Sequence, residues 1–341
     1  MQQEIIQGYR LSPQQKHLWL LHGHNFSNAG YRACCLVRLT GELDTDLLRR
    51  ALDQVTARHE ILRTTFRLLK GMTIPVQVID PEGRGSFVTH DLTALGDIEQ
   101  LARLDQLILE AKSAQIDYEQ LPLLRGGLVK QSSTVHQLIL TAPALCADVL
   151  SLQHLVRQIA DAYEHSQAED VSHTELMQYA DFAEWQNELL ETEDASVARQ
   201  YWKHQDLSGL AAGRLFFEKR LTSEQSFQPA VVTVDISKEA TARIQAAAKA
   251  IDVSLSSFGL TCWQVLISRL TGRSHTVVGT AFDGRKFGEL ENAVGLFSKF
   301  LPMQNELPGS NSFEKLWKHT SDQEQEALWR REYRKGWEPK V

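Results

Sequence analysis

The sequence has few of the features that mark membrane, secreted or nucleic-acid-binding proteins. It carries 36 lysines and arginines against 43 aspartates and glutamates, a net charge of -7. An acidic chain has no broad basic field for a phosphate backbone, which argues against nucleic acid as a partner. No apolar run reaches the roughly 18 residues of a membrane span, and residues 1–4 are too polar to open a signal peptide. These absences predict a cytoplasmic protein without a membrane segment.

Cysteine is also scarce. The four cysteines show no Cys-x-x-Cys spacing and have no nearby histidine pair suited to zinc. They are Cys34, Cys35, Cys146 and Cys262. We therefore predict reduced, packed thiols, with no metal or redox site.

The length and the hydrophobic pattern predict two mixed α/β lobes. A chain of 341 residues exceeds the roughly 250–300 residues at which single cores stop growing. In the first half, periodicity predicts strands at 31–39, 76–79 and 137–141, and helices at 44–55, 97–113, 150–163 and 175–190. In the second half it predicts strands at 230–234 and 276–280, and helices at 238–250, 255–270 and from 312 towards 334. A polar segment at 208–213 is interpreted as the crossing between lobes 1–205 and 206–341.

Five segments occur in an order typical of one known family. They are Leu-Ser-Pro-Gln-Gln-Lys-His-Leu-Trp-Leu at 11–20, Arg-His-Glu-Ile-Leu-Arg-Thr-Thr-Phe at 58–66, Tyr-Ala-Asp-Phe-Ala-Glu-Trp-Gln at 179–186 with Gln-Tyr-Trp at 200–202, Val-Gly-Thr-Ala-Phe-Asp-Gly-Arg at 278–285, and Val-Gly-Leu-Phe-Ser-Lys-Phe-Leu-Pro at 294–302. Together they resemble the first, second, fourth and fifth motifs of the condensation domains of nonribosomal peptide synthetases. Each segment alone is weak evidence for the family, but five segments in this order are specific to it.

The resemblance implies a fold, partners and a set of site residues. The fold would be two lobes, each like chloramphenicol acetyltransferase, arranged as a V around a central channel. The partners would be carrier proteins that present substrates on a phosphopantetheine arm, together with neighbouring synthetase domains; no cofactor would be bound directly. The motif or channel positions carried over are Ser12, Gln15, Trp19, Arg58, Cys146, Gly279, Gly295 and Ser298.

The third motif of the family, His-His-x-x-x-Asp-Gly, is degenerate here. Thr141 and Ser151 keep their places around it, so the two histidines correspond to Pro143 and Ala144, and the glycine to Val149. Only Asp148 is kept. The resemblance implies that Asp148 is structural and pairs with the arginine of the second motif, Arg63.

The substitutions remove the chemistry that the resemblance assigns to this loop. The second histidine of the family is credited with general-base or positioning work, which suits imidazole because its pKa lies near neutrality; Ala144 can do neither. Pro143 also lacks a backbone N–H, which removes one candidate donor to an oxyanion. Val149, a β-branched residue, is incompatible with a positive φ, so we predict an altered loop path.

Three other residues are candidates to replace the missing base. His136 lies eight residues back along a predicted strand, about 26 Å away, and His154 is interpreted as a packing or solvent histidine. Cys146 is the only nearby ionisable side chain in the loop, and it would need its pKa lowered, for example by the N-terminus of the following helix. No catalytic residue is assigned from the sequence.

The chain ends soon after the fifth motif, so we predict a truncated second lobe without the segments that in the family cross back over the channel. The basic cluster Arg330, Arg331, Arg334 and Lys335 is interpreted as a solvated helix face, with an acidic carrier protein as the alternative.

Two functions stay open from the sequence. The favoured one is a non-catalytic platform that holds carrier-bound substrates or a tailoring enzyme. The alternative is an active or specialised acyltransferase that joins carrier-bound acyl and aminoacyl thioesters without the histidine base. Whether the protein is an enzyme is therefore open.

Overall fold

The computed structural model describes residues 7–22, 31–165, 176–193, 195–207, 215–218, 232–307 and 311–330. The elements of the first part are α1 (Pro13–His22), β1 (Arg32–Thr40), α2 (Thr45–Arg58), β2 (Thr64–Arg67), β3 (Val76–Ile79), β4 (Ser86–Asp91), α3 (Asp97–Ser113), β5 (Arg125–Lys130), β6 (Val135–Pro143), α4 (Val149–Glu164), α5 (Tyr179–Glu191) and α6 (Ala195–His204). Those of the second part are α7 (Lys238–Ala250), α8 (Leu255–Thr271), β7 (His275–Phe282), β8 (Lys299–Glu306) and α9 (Phe313–Arg330). The predicted mixed α/β fold is confirmed.

A four-stranded sheet organises the first part, in the order β1-β6-β5-β4. β6 pairs antiparallel with both β1 and β5, whereas β4 and β5 are parallel. β6 is buried from His136 to Pro143, as befits a central strand covered on both faces. α2 and α4 contribute to the main core on one face, and α3 packs through Leu104 and Leu107 on the other, against Val129 and Ile139.

Local signals explain why α2 and α4 start where they do. The side chain of Asp44 accepts a hydrogen bond from Leu47 N, and the side chain of Asp148 accepts one from Ser151 N. Each aspartate therefore satisfies one of the free N–H groups of a helix N-terminus. α2 then buries Leu48, Leu52 and other apolar residues at helical spacing, which fixes the helix to the core.

The second part is built on a smaller sheet. β7 and β8 pair antiparallel, from His275 opposite Glu306 to Phe282 opposite Lys299. α8 packs against this hairpin through Leu260, which contacts the cluster of Leu301 and Met303. Among the described residues, no single helix is long and apolar enough to cross a membrane; α7 and α8 satisfy that test only as a pair bent by 104°.

Most of the predicted elements are confirmed, and some were missed. α7 has the predicted bounds, and α1, α6, β2, β4, β5 and β8 were not predicted from periodicity. The strand predicted at 230–234 is wrong over 232–234: Val232 and Val234 are 87% and 80% exposed and lie in no sheet. Alternation alone does not make a strand when no neighbouring strand pairs with it. Residues 208–213 lie outside the described residues, so the division into lobes 1–205 and 206–341 stays a prediction.

Candidate functional site

The loop that joins β6 to α4, residues 143–148, corresponds to the third motif and is called the motif loop below. Its backbone is engaged at both ends: Ala144 N donates to Tyr31 O at 2.9 Å, and Asp148 N donates to Gly295 O at 3.2 Å. Leu145, Cys146 and Ala147 are buried. Val149 is the first residue of α4, 71% exposed and without a positive φ, and the difference in loop path from the family stays a prediction. A helical first turn accepts a β-branched residue.

Asp148 ends the motif loop with a fully engaged carboxylate. Its Oδ1 accepts from Ser151 N, Ser151 Oγ and Arg285 Nη2, at 2.8, 2.7 and 3.1 Å. Its Oδ2 accepts from Arg285 Nη1, Phe297 N, Ser298 N and Ser298 Oγ, all within 3.1 Å. Burial alone would raise the pKa of Asp148, but the hydrogen bonds and charge of Arg285 and the donors of Ser151 outweigh it and hold the pKa below its usual value.

Arg285 is the cation at the centre of this cluster. Besides Asp148, its guanidinium donates to Ala293 O at 3.1 Å, to Ser151 Oγ at 2.8 Å and to Asp283 Oδ1 at 3.0 Å. It also lies 4.3 Å from the centroid of the Phe297 ring, within cation–π range. Because the Asp148 and Arg285 side chains are 4% and 3% exposed, the pair ties β7 and residues 293–298 to the start of α4.

The predicted pairing of Asp148 with Arg63 is wrong. The Arg63 guanidinium instead donates to the carbonyls of Ala57 and Asp80, at 3.3 and 2.9 Å, and lies 3.7 Å from Glu60. Arg63 ends a 3-10 turn after α2, where these backbone oxygens surround it. Arg63 therefore orders the second-motif turn, while Arg285 forms the ion pair with the Asp148 carboxylate.

The first motif is joined to the motif loop through buried polar side chains. Gln15 Nε2 donates to Leu145 O at 3.0 Å and to Gln77 Oε1 at 3.1 Å. Ser12 Oγ lies 2.8 Å from Tyr179 OH, which donates to Leu296 O at 2.7 Å. Ser12 and Gln15, two of the predicted motif positions, are thus scaffold residues that hold the loop and residues 293–298 together.

The remaining predicted positions spread over the fold. Gly295 and Ser298 lie at the Asp148 cluster, and an added Cβ at Gly295 would come within 1.9 Å of the Tyr179 ring. Trp19 stacks edge-on with Tyr118, with ring centroids 6.2 Å apart. Arg58 is the last residue of α2, and its carbonyl accepts from Gln178 Nε2. Gly279 lies in β7 facing open space.

None of the residues weighed as replacement bases has the properties that the chemistry needs. The Cys146 thiol is fully buried, and burial raises its pKa, the opposite of an activated nucleophile. His136 is buried in β6. His154 is half-buried on α4, where burial and then the positive charges of Arg285 and Arg157 lower its pKa.

Sequence reasoning missed the roles of Arg285, Ser151 and Tyr179, although all three lie in or beside the quoted segments. The signal for Arg285 was available, because a charged residue ending an apolar strand at Asp-Gly-Arg needs a partner if it is buried. Its partner, Asp148, lies 137 residues away in sequence.

Comparison with known proteins matches this arrangement to one family. Residues 5–334 match the family model described as condensation domain. The chain belongs to the condensation-domain family. It is 31% identical over 307 residues to chondramide synthase cmdD of Chondromyces crocatus and 30% identical over 305 residues to tyrocidine synthase 3 of Brevibacillus parabrevis, in each case over 89% of the chain. It spans only 8% and 4% of the length of those two relatives.

Solved structures share the fold. SgcC5 of Streptomyces globisporus superposes with a TM-score of 0.78 at 26% identity, over 94% of this chain and 73% of that one. The condensation domain of the monacolin K polyketide synthase MokA gives 0.82 at 20% identity, over 97% and 75%. The X-domain from teicoplanin biosynthesis, solved in a complex with OxyB, gives 0.74 at 23% identity, over 97% and 72%. The predicted fold class, that of the condensation domains, is confirmed.

Proposed function

We propose that this condensation domain has lost the histidine-dependent step and serves as a platform for carrier-bound substrates or for a tailoring enzyme. The observation that carries the proposal is the contrast within the motif loop. The base position is the methyl group of Ala144, and the neighbouring thiol of Cys146 is buried with a raised pKa. Asp148, by contrast, keeps a complete set of partners.

The partners follow from the family. Condensation domains of peptide synthetases work on substrates tethered to carrier proteins, so a phosphopantetheine arm is the expected ligand of the channel that the resemblance implies, at a cytoplasmic location. The X-domain that shares this fold was solved with OxyB bound, which supports a tailoring enzyme as a second kind of partner.

Product formation and carrier binding, measured together, test the platform. The protein is mixed with a donor-loaded and an acceptor-loaded carrier, and the condensed thioester is sought by intact-protein mass spectrometry. We expect no more product than in a mixture of the two carriers alone, together with saturable binding of at least one carrier in a titration. Product well above the carrier-only mixture would contradict the platform, and so would the absence of binding to carriers and tailoring enzyme alike.

An acyltransferase that works by tethering alone is the second candidate. It is favoured by the 30–31% identity to segments of peptide synthases and by the intact Asp148 cluster. Holding two reactants in place can itself lower a barrier by about 7–11 kcal/mol, whereas a general base contributes about 10²- to 10⁴-fold. This candidate predicts slow product formation that is unchanged in Cys146→Ala, because the thiol is buried.

A further inference from the structure

Two arginines flank the end of β6 where the motif loop begins. Arg32 of β1 is opposite Pro143, and Arg125 of β5 is opposite Thr141. Directly opposed residues project from the same face of a sheet, so both side chains lie on the face of Ile139, which is the face that α3 covers. Their Cα atoms are roughly 12 Å apart by strand spacing and rise, a span that two arginine side chains can bridge.

The two guanidinium groups have little to compensate their charge. Burial lowers the pKa of Arg32, and the positive charge of Arg125 lowers it further. Burial raises the pKa of Cys34, on the same strand, and the positive charges of Lys112, in the last turn of α3, and of Arg32 oppose that rise. Among the residues that the structure describes, no carboxylate forms an ion pair with Arg32 or Arg125.

The guanidinium of Arg32 also has an N–H donor that is not used by the described residues. Arg32 Nη2 donates to Ala114 O at the C-terminus of α3, but Arg32 Nε is buried without a partner in the described part of the chain. A buried donor on a cation is costly to leave unpaired, so an incoming acceptor oxygen is favoured there. Arginine suits this task, because its planar fork meets carboxylate and phosphate oxygens two at a time.

We propose that Arg32 and Arg125 form a binding site for an oxyanion beside Pro143, the position of the first histidine in the family motif. Only the origin of the anion rests on the proposed function. It is either the phosphate of a phosphopantetheine arm or a carboxylate on the acyl group that the arm carries. Where the family has an imidazole pair, this chain would thus present a pair of guanidinium groups that recognise rather than catalyse.

Two matched pairs of small probes distinguish the sources. Phosphopantetheine and pantetheine differ by the phosphate, and succinyl-pantetheine and butyryl-pantetheine differ by a terminal carboxylate. In calorimetric titrations of the whole chain, we expect the anionic member of one pair to bind about tenfold or more tightly than its neutral counterpart. A difference in the first pair assigns the phosphate, and a difference in the second assigns the carboxylate.

Variants connect the effect to these residues. Arg125→Gln and Arg32→Gln should each abolish the difference between the members of the pair, while Arg32→Lys should keep part of it. Arg38→Gln is the matched control, because Arg38 lies on the same strand and face but is exposed, opposite Gln137. Arg32→Gln also removes the contact with Ala114 and can lower the melting temperature. In that case, the affinities of Arg125→Gln for the two members of the pair decide the test.

Two results would overturn the site: equal affinities within both pairs for the unaltered protein, or a difference that survives in both glutamine variants. Condensed product in the carrier assay would contradict the platform without changing these affinities. The two proposals can therefore fail separately.

Discussion

The two ends of the motif loop differ in their polar contacts. At one end, the Asp148 carboxylate accepts seven hydrogen bonds of 2.7–3.1 Å from the start of α4 and from residues 285–298. At the other end, Pro143 and Ala144 carry no ionisable group, and the next three residues are buried apolar packing or an inert thiol. The motif loop therefore keeps its buried packing and the contacts of Asp148 without an ionisable side chain at positions 143 and 144.

The difference has a physical basis. A buried carboxylate and its arginine are mutually dependent, because loss of either leaves an uncompensated charge. The side chains of Pro143 and Ala144 carry no charge and have no such dependence.

Among the substitutions that test this contrast, Asp148→Ala should have the largest effect on stability. Removing the carboxylate leaves Arg285 buried without its main partner and uncaps α4, so the free energy of unfolding should fall by about 3–5 kcal/mol. Urea unfolding followed by circular dichroism measures it. Asp283→Ala is the control, because that side chain also contacts Arg285 but is 42% exposed, and it should cost only about 0–1 kcal/mol. Equal losses in the two variants would contradict the central place of Asp148.

What the sequence predicts well is local. The N-cap Asp44 and the bounds of α7 follow from spacing and capping within one segment, and the structure confirms them. β5 was missed because its two adjacent glycines, Gly126 and Gly127, weaken the strand pattern, and its pairing with β6 and β4 supplies what the pattern lacks. The partner of Asp148 was wrong for the same reason, since the choice between Arg63 and Arg285 depends on contacts between distant segments.

A second effect concerns the protonation of His59, whose Nε2 donates to Gln158 Oε1 of α4 at 2.7 Å. Burial lowers the pKa of His59 to about 4, so the folded protein keeps the imidazole neutral while the unfolded chain binds a proton below about pH 6.5. Stability should therefore fall as the pH is lowered from 6.5 to 4, by at most about 3 kcal/mol.

Unfolding free energies between pH 4.5 and 7.5 test this expectation, because that range lies above the titration of Asp148. His59→Gln should reduce the pH dependence, and His136 and His154, whose pKa values burial also lowers, account for part of what remains. An unaltered slope in His59→Gln would assign the acid sensitivity to another group.

A third, smaller effect tests how closely residues 293–298 fit the first part of the chain. Gly295→Ala places a methyl group 1.9 Å from the Tyr179 ring, so the ring or the backbone must move, at a cost of about 1–3 kcal/mol. Gly279→Ala is the matched change, since nothing lies within 4 Å of an added Cβ there, and alanine is favoured over glycine within a strand by about 0.5–1 kcal/mol. Melting temperatures that shift in opposite directions would confirm the contrast.

The smallest effect is expected at the apolar end of the loop, in the reactivity of its thiol. Cys146 is fully buried with a raised pKa, while Cys262 on α8 is exposed. Alkylation of the native protein near pH 8, read by peptide mass spectrometry, should modify Cys262 long before Cys146, and Cys146 should react only once the chain unfolds, because the thiolate is the reactive form. Cys262→Ala removes the exposed thiol and leaves Cys146 to be compared with the half-buried Cys34 and Cys35, and it serves as the control. Rapid labelling of Cys146 in that variant would mean that the loop opens or activates its thiol, and it would return the loop to the class of nucleophilic sites that its packing argues against.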